Sequence, residues 1–239
     1  MKKDLHYFFR RLIALITLCF VGTVTATEVA DLKLEVRKQF EPIIQQINQQ
    51  LVKHQSLYQQ DPASFGSFIE QYVQVHWDAS STSSALIGRE AFQALEAGQR
   101  EPLVAAVDRT LVRYAFEGFD YYDGHQFTLV DVAISKSRQM GWLQVLMESP
   151  IIPDLNLEIL IKRKQEGLWR AVDVRFKGIT YVAVKKHQYR KTLKKQGIQT
   201  LIDSLVAKNN KFFSKLCGLE QREDRQFCQE AKKYSQSSH

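Results

Sequence analysis

"LNLEILIKRK", residues 155–164, alternates Leu155, Leu157, Ile159 and Ile161 with Asn156, Glu158, Leu160 and Lys162. A period of two puts the two sets on opposite faces, so the segment predicts a half-buried β-strand. The same period continues on both sides of it. "HQFTLVDVAISKS" (125–137), "GWLQVLME" (141–148) and "GLWRAVDVRF" (167–176) read as three more strands with turn residues between them. Connections this short suit antiparallel neighbours, so the four form a meander.

Upstream of Tyr121 the period is helical. Leu32, Val36, Phe40, Ile43, Ile44, Ile47 and Leu51 make one apolar stripe along 29–60, set against a Gln-rich solvent face. Asp61-Pro62 pairs an N-cap with proline at the first helical position, opening a second helix with Phe65, Phe68, Ile69 and Tyr72. Two more helices are expected over 84–97 and 99–118, with Gly98 as the C-cap between them. The second presents Leu103, Val107, Leu111, Tyr114 and Ala115 on one face. Helices followed by a meander define an α+β fold, the sheet covered on one face by helices. Two short helices, 185–196 and 199–213, follow the sheet and are separated by Gly197.

The N-terminus reads as an export signal. Lys2, Lys3, Arg10 and Arg11 form a positive segment, Leu12–Val21 an apolar one, and Val24-Thr25-Ala26 a small-residue cleavage site. The apolar run is about half of what spans a bilayer, which disfavours a retained anchor. Leu18 before Cys19 disfavours a lipoprotein. The expected protein is periplasmic, with segment 1–26 removed, one domain over 27–205 and a C-terminal helical tail over 206–239. Losing four basic residues and one aspartate lowers the net charge from +7 to +4, too mild to imply nucleic acid. Cys217 and Cys228 remain after cleavage. In an oxidising compartment they are expected to pair, closing a loop of about 12 residues worth roughly 3 kcal/mol.

Catalytic and metal motifs are lacking in the sequence. His54, His76, His125, His187 and His239 are scattered singly, without metal-ligand spacing, and no nucleophile elbow or glycine-rich phosphate loop occurs. "VHWD" (75–78) reads as a catalytic pair or as an ordinary cap. Asp131 and Asp173 read as strand general bases or as residues of a solvated strand face; the alternation of Asp173 with Val172 and Val174 fits the second. Lys185, Lys186, Arg190, Lys191, Lys194 and Lys195 fall within eleven residues of an amphipathic helix whose other side holds Tyr189 and Leu193. That basic face is ordinary surface, or a contact for an acidic partner or anionic headgroups.

The stretch "DVRFKGITYVAVKKHQYRKTLKKQGIQTLIDSL" (173–205) carries a resemblance. It is similar to the hallmark of the periplasmic phospholipid-binding MlaC, or toluene-tolerance, family. Asp173, Val174, Gly178, Val182, Gln188, Gly197, Leu201, Ile202 and Leu205 match it without a gap, and Phe176, Ile179, Thr180, Tyr181, Tyr189 and Leu193 are similar replacements. Lys177 stands where the family has an acidic residue, and Val184-Lys185-Lys186 where it has Asn-Tyr-Arg. "GLWRAVDV" resembles the family's lead into its last strand, and "ALIGREAFQAL" (85–95) and "LVRYAFEGFDYY" (111–122) resemble it more loosely.

The resemblance implies a phospholipid carrier with no cofactor. It would shuttle between an outer-membrane lipoprotein complex and an inner-membrane ABC transporter complex with a lipid-binding ring, maintaining outer-membrane lipid asymmetry. The expected fold is NTF2-like and cone-shaped, a curved sheet roofed by helices over an apolar cavity, and the protein is expected to be a monomer. Expected lining residues are Val132, Ile134, Val145, Leu157, Ile159, Ile161, Val172 and Val174 of the sheet, with Phe92, Leu111 and Tyr114 of the helices. Each serves equally well as plain core. The contending reading is a small exported enzyme on the same fold, using Asp131 or Asp173 as base.

Overall fold

Leu32, Val36, Phe40 and Ile44 recur every four residues and are all buried, so the first helix lays a continuous apolar stripe on the sheet. The structure, a computed structural model, describes residues 2–149 and 153–218, with side chains from Thr27 onward. The side chains of the expected export signal and the tail 219–239, with Cys228, lie outside the described residues. The helices are α1 (Lys2–Gln60), α2 (Pro62–Tyr72), α3 (Ala79–Ile87), α4 (Arg89–Gln93), α5 (Ala97–Phe119) and α6 (Tyr181–Cys217), with a 3₁₀ turn at Gln74–His76. The strands are β1 (Gln126–Ile134), β2 (Met140–Glu148), β3 (Leu155–Arg163), β4 (Trp169–Phe176) and β5 (Ile179–Thr180).

The sheet is open, ordered β1-β2-β3-β4-β5 and antiparallel throughout, with five strands rather than the expected four. The extra strand comes from a two-residue turn. Lys177 and Gly178 both have positive φ (48° and 80°), the primed geometry that returns a strand on its neighbour and pairs Phe176 with Ile179.

Two amide side chains tie α1 to the sheet. Gln39 donates to the Trp169 carbonyl (2.7 Å) and accepts from its N–H (3.1 Å). Asn48 does the same at Phe127 (2.7 and 2.9 Å). Each imitates a rung of a β-ladder, so the polar side of α1 is not wholly a solvent face. Farther along, Leu51 and Tyr58 join Phe65, Phe68, Phe116 and Phe213 in a second core among α1, α2, α5 and α6. A third core unites Leu86, Leu103, Val107, Tyr189, Leu201 and Leu205 from α3, α5 and α6.

Three helix boundaries differ from expectation. The stripe's helix is continuous from Lys2 instead of starting at 29. The segment expected as 84–97 is two helices, broken at Gly88 and not at Gly98, which lies inside α5. Gly88 has φ +102°, a conformation that side chains disfavour, and its N–H closes α3 on the Ser84 carbonyl. The Arg190 guanidinium packs over it and donates to the Ala85 and Leu86 carbonyls (3.1 and 3.2 Å), supplying the cation that a helix C-terminus favours. The two helices expected after the sheet do part at Gly197, whose non-helical backbone (φ 83°, ψ 173°) kinks α6, but the first of them begins earlier than expected. It starts four residues early because the Thr180 hydroxyl caps it, accepting from the Ala183 N–H at 3.0 Å.

Two bulges break the alternation. Val130 is extra in β1, between the Leu129–Val145 and Asp131–Gln144 pairs. Val172 is extra in β4, between Ala171–Ile161 and Asp173–Leu160.

Candidate functional site

Residues opposite each other in a ladder share a face, so the register defines which side chains point toward α1. Ile161, Leu143, Val132 and Trp169 are fully buried in the cluster with α1, and Val145 and Leu129 are nearly so. Along β3 the same face continues through Ile159 and Leu157, which pair with Val174 and Phe176 of β4. These four are not sealed. Leu157, Ile159 and Val174 are half-buried, and Phe176 is 39% exposed. The inner face of the sheet therefore closes near α1 and stays open at one apolar corner, beside the start of α6.

The expected lining residues fall into separate groups. Val132, Ile134, Val145, Leu157, Ile159 and Ile161 share the sheet–α1 cluster. Phe92 and Leu111 belong to the α3–α5–α6 cluster and do not meet them there. Val172, the bulged residue, is buried, and its carbonyl accepts from the Thr82 hydroxyl (2.7 Å), fastening β4 to α3. Tyr114 sits edge-on to Tyr181 (5.6 Å), with Arg113 and Lys185 over its ring at 4.6 and 5.6 Å. The Tyr181 hydroxyl lies 3.5 Å from that of Tyr189, and burial pushes the Tyr181 phenol far up. A cleft of about 230 Å³ between α1 and α2 is lined by Gln50, His54, Tyr58, Ser67, Phe68 and Tyr72, among others, and by none of the expected residues. It is smaller than typical small-molecule sites.

Both strand aspartates are occupied. Asp131 is about half exposed and lies 3.7 Å from Lys33 and 3.9 Å from Arg37. Asp173 is not on a solvated face: it is 5% exposed, and its Oδ1 accepts from the N–H groups of Val174 (2.9 Å) and Val182 (3.2 Å). It joins the last long strand to the amide-rich start of α6, which gives the Asp-Val motif a structural meaning. Burial raises its pKa above 3.8, although the hydrogen bonds oppose the shift. In "VHWD" the cap reading holds. Asp78 accepts from the Ser81 N–H (2.9 Å) at the start of α3 and pairs with Lys164 (2.8 Å). Burial would raise its carboxyl, but the hydrogen bonds from Lys164 and Ser81 prevail and hold it below 3.8. His76 is instead held lower by burial and by Arg170.

The raised Asp173 pKa fixes a sign. The folded state takes up a proton at higher pH than the unfolded chain, so ionisation at neutral pH costs stability. Stability gained from this group appears as pH falls through its raised value toward 3.8. Asp173→Asn keeps an acceptor oxygen for the amides and removes the titration. The variant should be somewhat more stable than the parent at neutral pH, with the difference shrinking on acidification as the parent's Asp173 takes up its proton, read as melting temperature against pH. An unchanged pH profile would count against this assignment.

In the basic run, Lys186, Lys191, Lys194 and Lys195 are exposed. Arg190 is committed to α3 and Lys185 to the Tyr114 ring. Cys217 is buried and disulfide-bonded. Its expected partner, Cys228, lies outside the described residues.

An open antiparallel sheet with helices on its inner face, ending in a strand-turn-helix unit braced by a buried aspartate, defines the class of fold. The family model described as MlaC protein matches residues 41–207, most of the chain, and the protein belongs to the MlaC family. Among solved structures it is similar to a phospholipid-binding protein from Ralstonia solanacearum in complex with a phospholipid, at 13% identity and a TM-score of 0.62. The match covers 75% of this chain and 97% of that one. No curated protein matches the chain.

Proposed function

We propose that the protein is a periplasmic phospholipid carrier, exported by cleavage near Ala26, that holds acyl chains without transforming them. The observation that carries this reading is the open apolar corner Leu157, Ile159, Val174 and Phe176, continuous with the part of the sheet that α1 seals. Family membership and the phospholipid in the Ralstonia solanacearum structure support it. Two acyl chains carry on the order of 30 methylenes, and exposing them to water costs roughly 24 kcal/mol at ~0.8 kcal/mol each. A carrier must therefore enclose them, and we place its cavity at this corner, between the sheet and α6. A bilayer offers the tails nearly the same surroundings, so pickup and release stay near balance. Direction then comes from the partners, an outer-membrane lipoprotein complex and an inner-membrane ABC transporter complex. The ion pairs of Asp131 and the amide bonds of Asp173 favour a carrier over an enzyme with either as base.

The test is transfer of a fluorescent phospholipid from donor vesicles to the purified protein. Stoichiometric uptake is expected, and no uptake by folded protein would refute the reading. The exposed basic face should serve handover more than retention. Lys191→Glu, Lys194→Glu and Lys195→Glu together should leave bound lipid unchanged and weaken docking to an acidic partner or anionic membrane. A folded triple variant that purifies empty would assign these lysines to the binding site.

A further inference from the structure

The β4–β5 turn and the start of α6 carry a group of exposed apolar residues. Phe176, Ile179 and Val184 are 39%, 61% and 59% exposed, three of ten large exposed apolar residues among those described, and they fall within nine positions. Scattered single apolar residues on a surface mean little, whereas a group does. Phe176 and Ile179 flank a tight turn, where a Cβ placed on Gly178 would meet nothing within 4 Å, and Val184 lies in the first turn of the helix that follows. The tip therefore projects into open space.

Its charge is one-sided. From Val174 to Ile202 the sequence holds eight Lys or Arg and no Asp or Glu. Lys177, at the tip itself, lies 5.3 Å from the Phe176 ring and is exposed, as is Lys186 one turn into α6. Arg175 is not free to add to this, because it pairs with Glu158 and stacks on Trp142 at 4.1 Å. What remains is an exposed apolar trio with the exposed Lys177 and Lys186 close to it in the chain. Apolar side chains that enter the headgroup boundary, with cations beside them for anionic lipids, are the elements of interfacial membrane binding.

We infer that the Phe176–Val184 tip docks the protein directly on an anionic lipid surface. Phe176 belongs both to the tip and to the open corner, paired with Leu157, so docking sets the corner against the leaflet. Docking at this tip does not depend on whether the corner holds a lipid cargo.

Flotation with vesicles of equal parts phosphatidylglycerol and phosphatidylcholine tests it, beside vesicles of phosphatidylcholine alone. The parent protein should bind the anionic vesicles, release with rising salt and bind the neutral ones poorly. Ile179→Ser with Val184→Ser should weaken binding about tenfold or more. Lys177→Glu with Lys186→Glu should weaken it by more than about tenfold, since each lysine near an anionic surface is worth about fivefold. Leu34→Ser with Val52→Ser, equally exposed on α1, should change nothing. Circular dichroism checks folding of each variant. Tip variants that bind like the parent, a parent that ignores anionic vesicles, or binding only to an acidic protein would overturn the inference. Lipid extracted from the same preparations is a separate readout: an empty parent protein would sink the carrier reading and leave the docking result standing.

Discussion

Ile161→Asp should fail to fold, whereas Ile159→Asp and Val174→Asp should fold and purify with little phospholipid. All three positions lie on the inner face of the sheet, two of them on one strand. Ile161 is fully buried between the sheet and α1, in a close-packed site with no room for a hydrated carboxylate. An aspartate there must ionise at a cost of several kcal/mol or stay protonated and unpaired, a large part of a domain's net stability. Ile159 and Val174 face each other in the open corner and are half-buried. Water reaches a carboxylate there once the acyl chain has left, so folding survives and lipid binding does not. Circular dichroism with extracted lipid per mole of protein separates the outcomes. Folded Ile159→Asp and Val174→Asp proteins with normal lipid would place the binding surface elsewhere.

Trp169→Ala should be the most destabilising single truncation, by about 3–5 kcal/mol, measured by urea unfolding. Trp169 is fully buried and belongs to the sheet–α1 core. Its indole N–H donates to Glu35 (3.0 Å), and Glu35 also holds Arg163 (3.2 Å). Truncation removes the ring, leaves a cavity and withdraws one partner from that carboxylate. Trp169→Phe retains most of the volume and should recover more than half of the loss. A loss below about 1 kcal/mol for the alanine variant would mean that α1 does not seal this end of the sheet.

Much of this architecture was legible because periodicity reports burial directly. The alternation of Leu155 to Ile161, the four-residue stripe of α1 and the Asp61-Pro62 cap each have a local cause, and each element formed as read. What was illegible depends on partners distant in sequence. The bulges at Val130 and Val172 are single-residue shifts that leave the apolar pattern nearly intact while changing which side chains face inward. Asp173 has the spacing of a solvated strand residue, yet α6 folds back over it and supplies amide donors. Gln39 and Asn48 look like solvent-facing helix residues, and only the docked sheet gives them backbone partners. Gly88 breaks the helix where Gly98 was expected to, because Arg190, about a hundred residues later, completes the cap. Val172 is the bulged residue of β4, and Phe92 and Leu111 pack in another core, whereas Val132, Ile134, Val145, Leu157, Ile159 and Ile161 share the cluster under α1. Their division into a sealed part and an open corner follows from where α1 crosses the sheet, and no local pattern encodes that.

Lipid content of the purified protein tests the central claim most directly. Native-state mass spectrometry of protein purified without detergent, followed by organic extraction, reads both stoichiometry and chemistry. A carrier should show an added mass of one phospholipid on most molecules, lost from Val174→Asp and retained by the Lys191, Lys194 and Lys195 triple variant. A parent protein that is folded, carries no phospholipid and takes none up from vesicles would contradict the account.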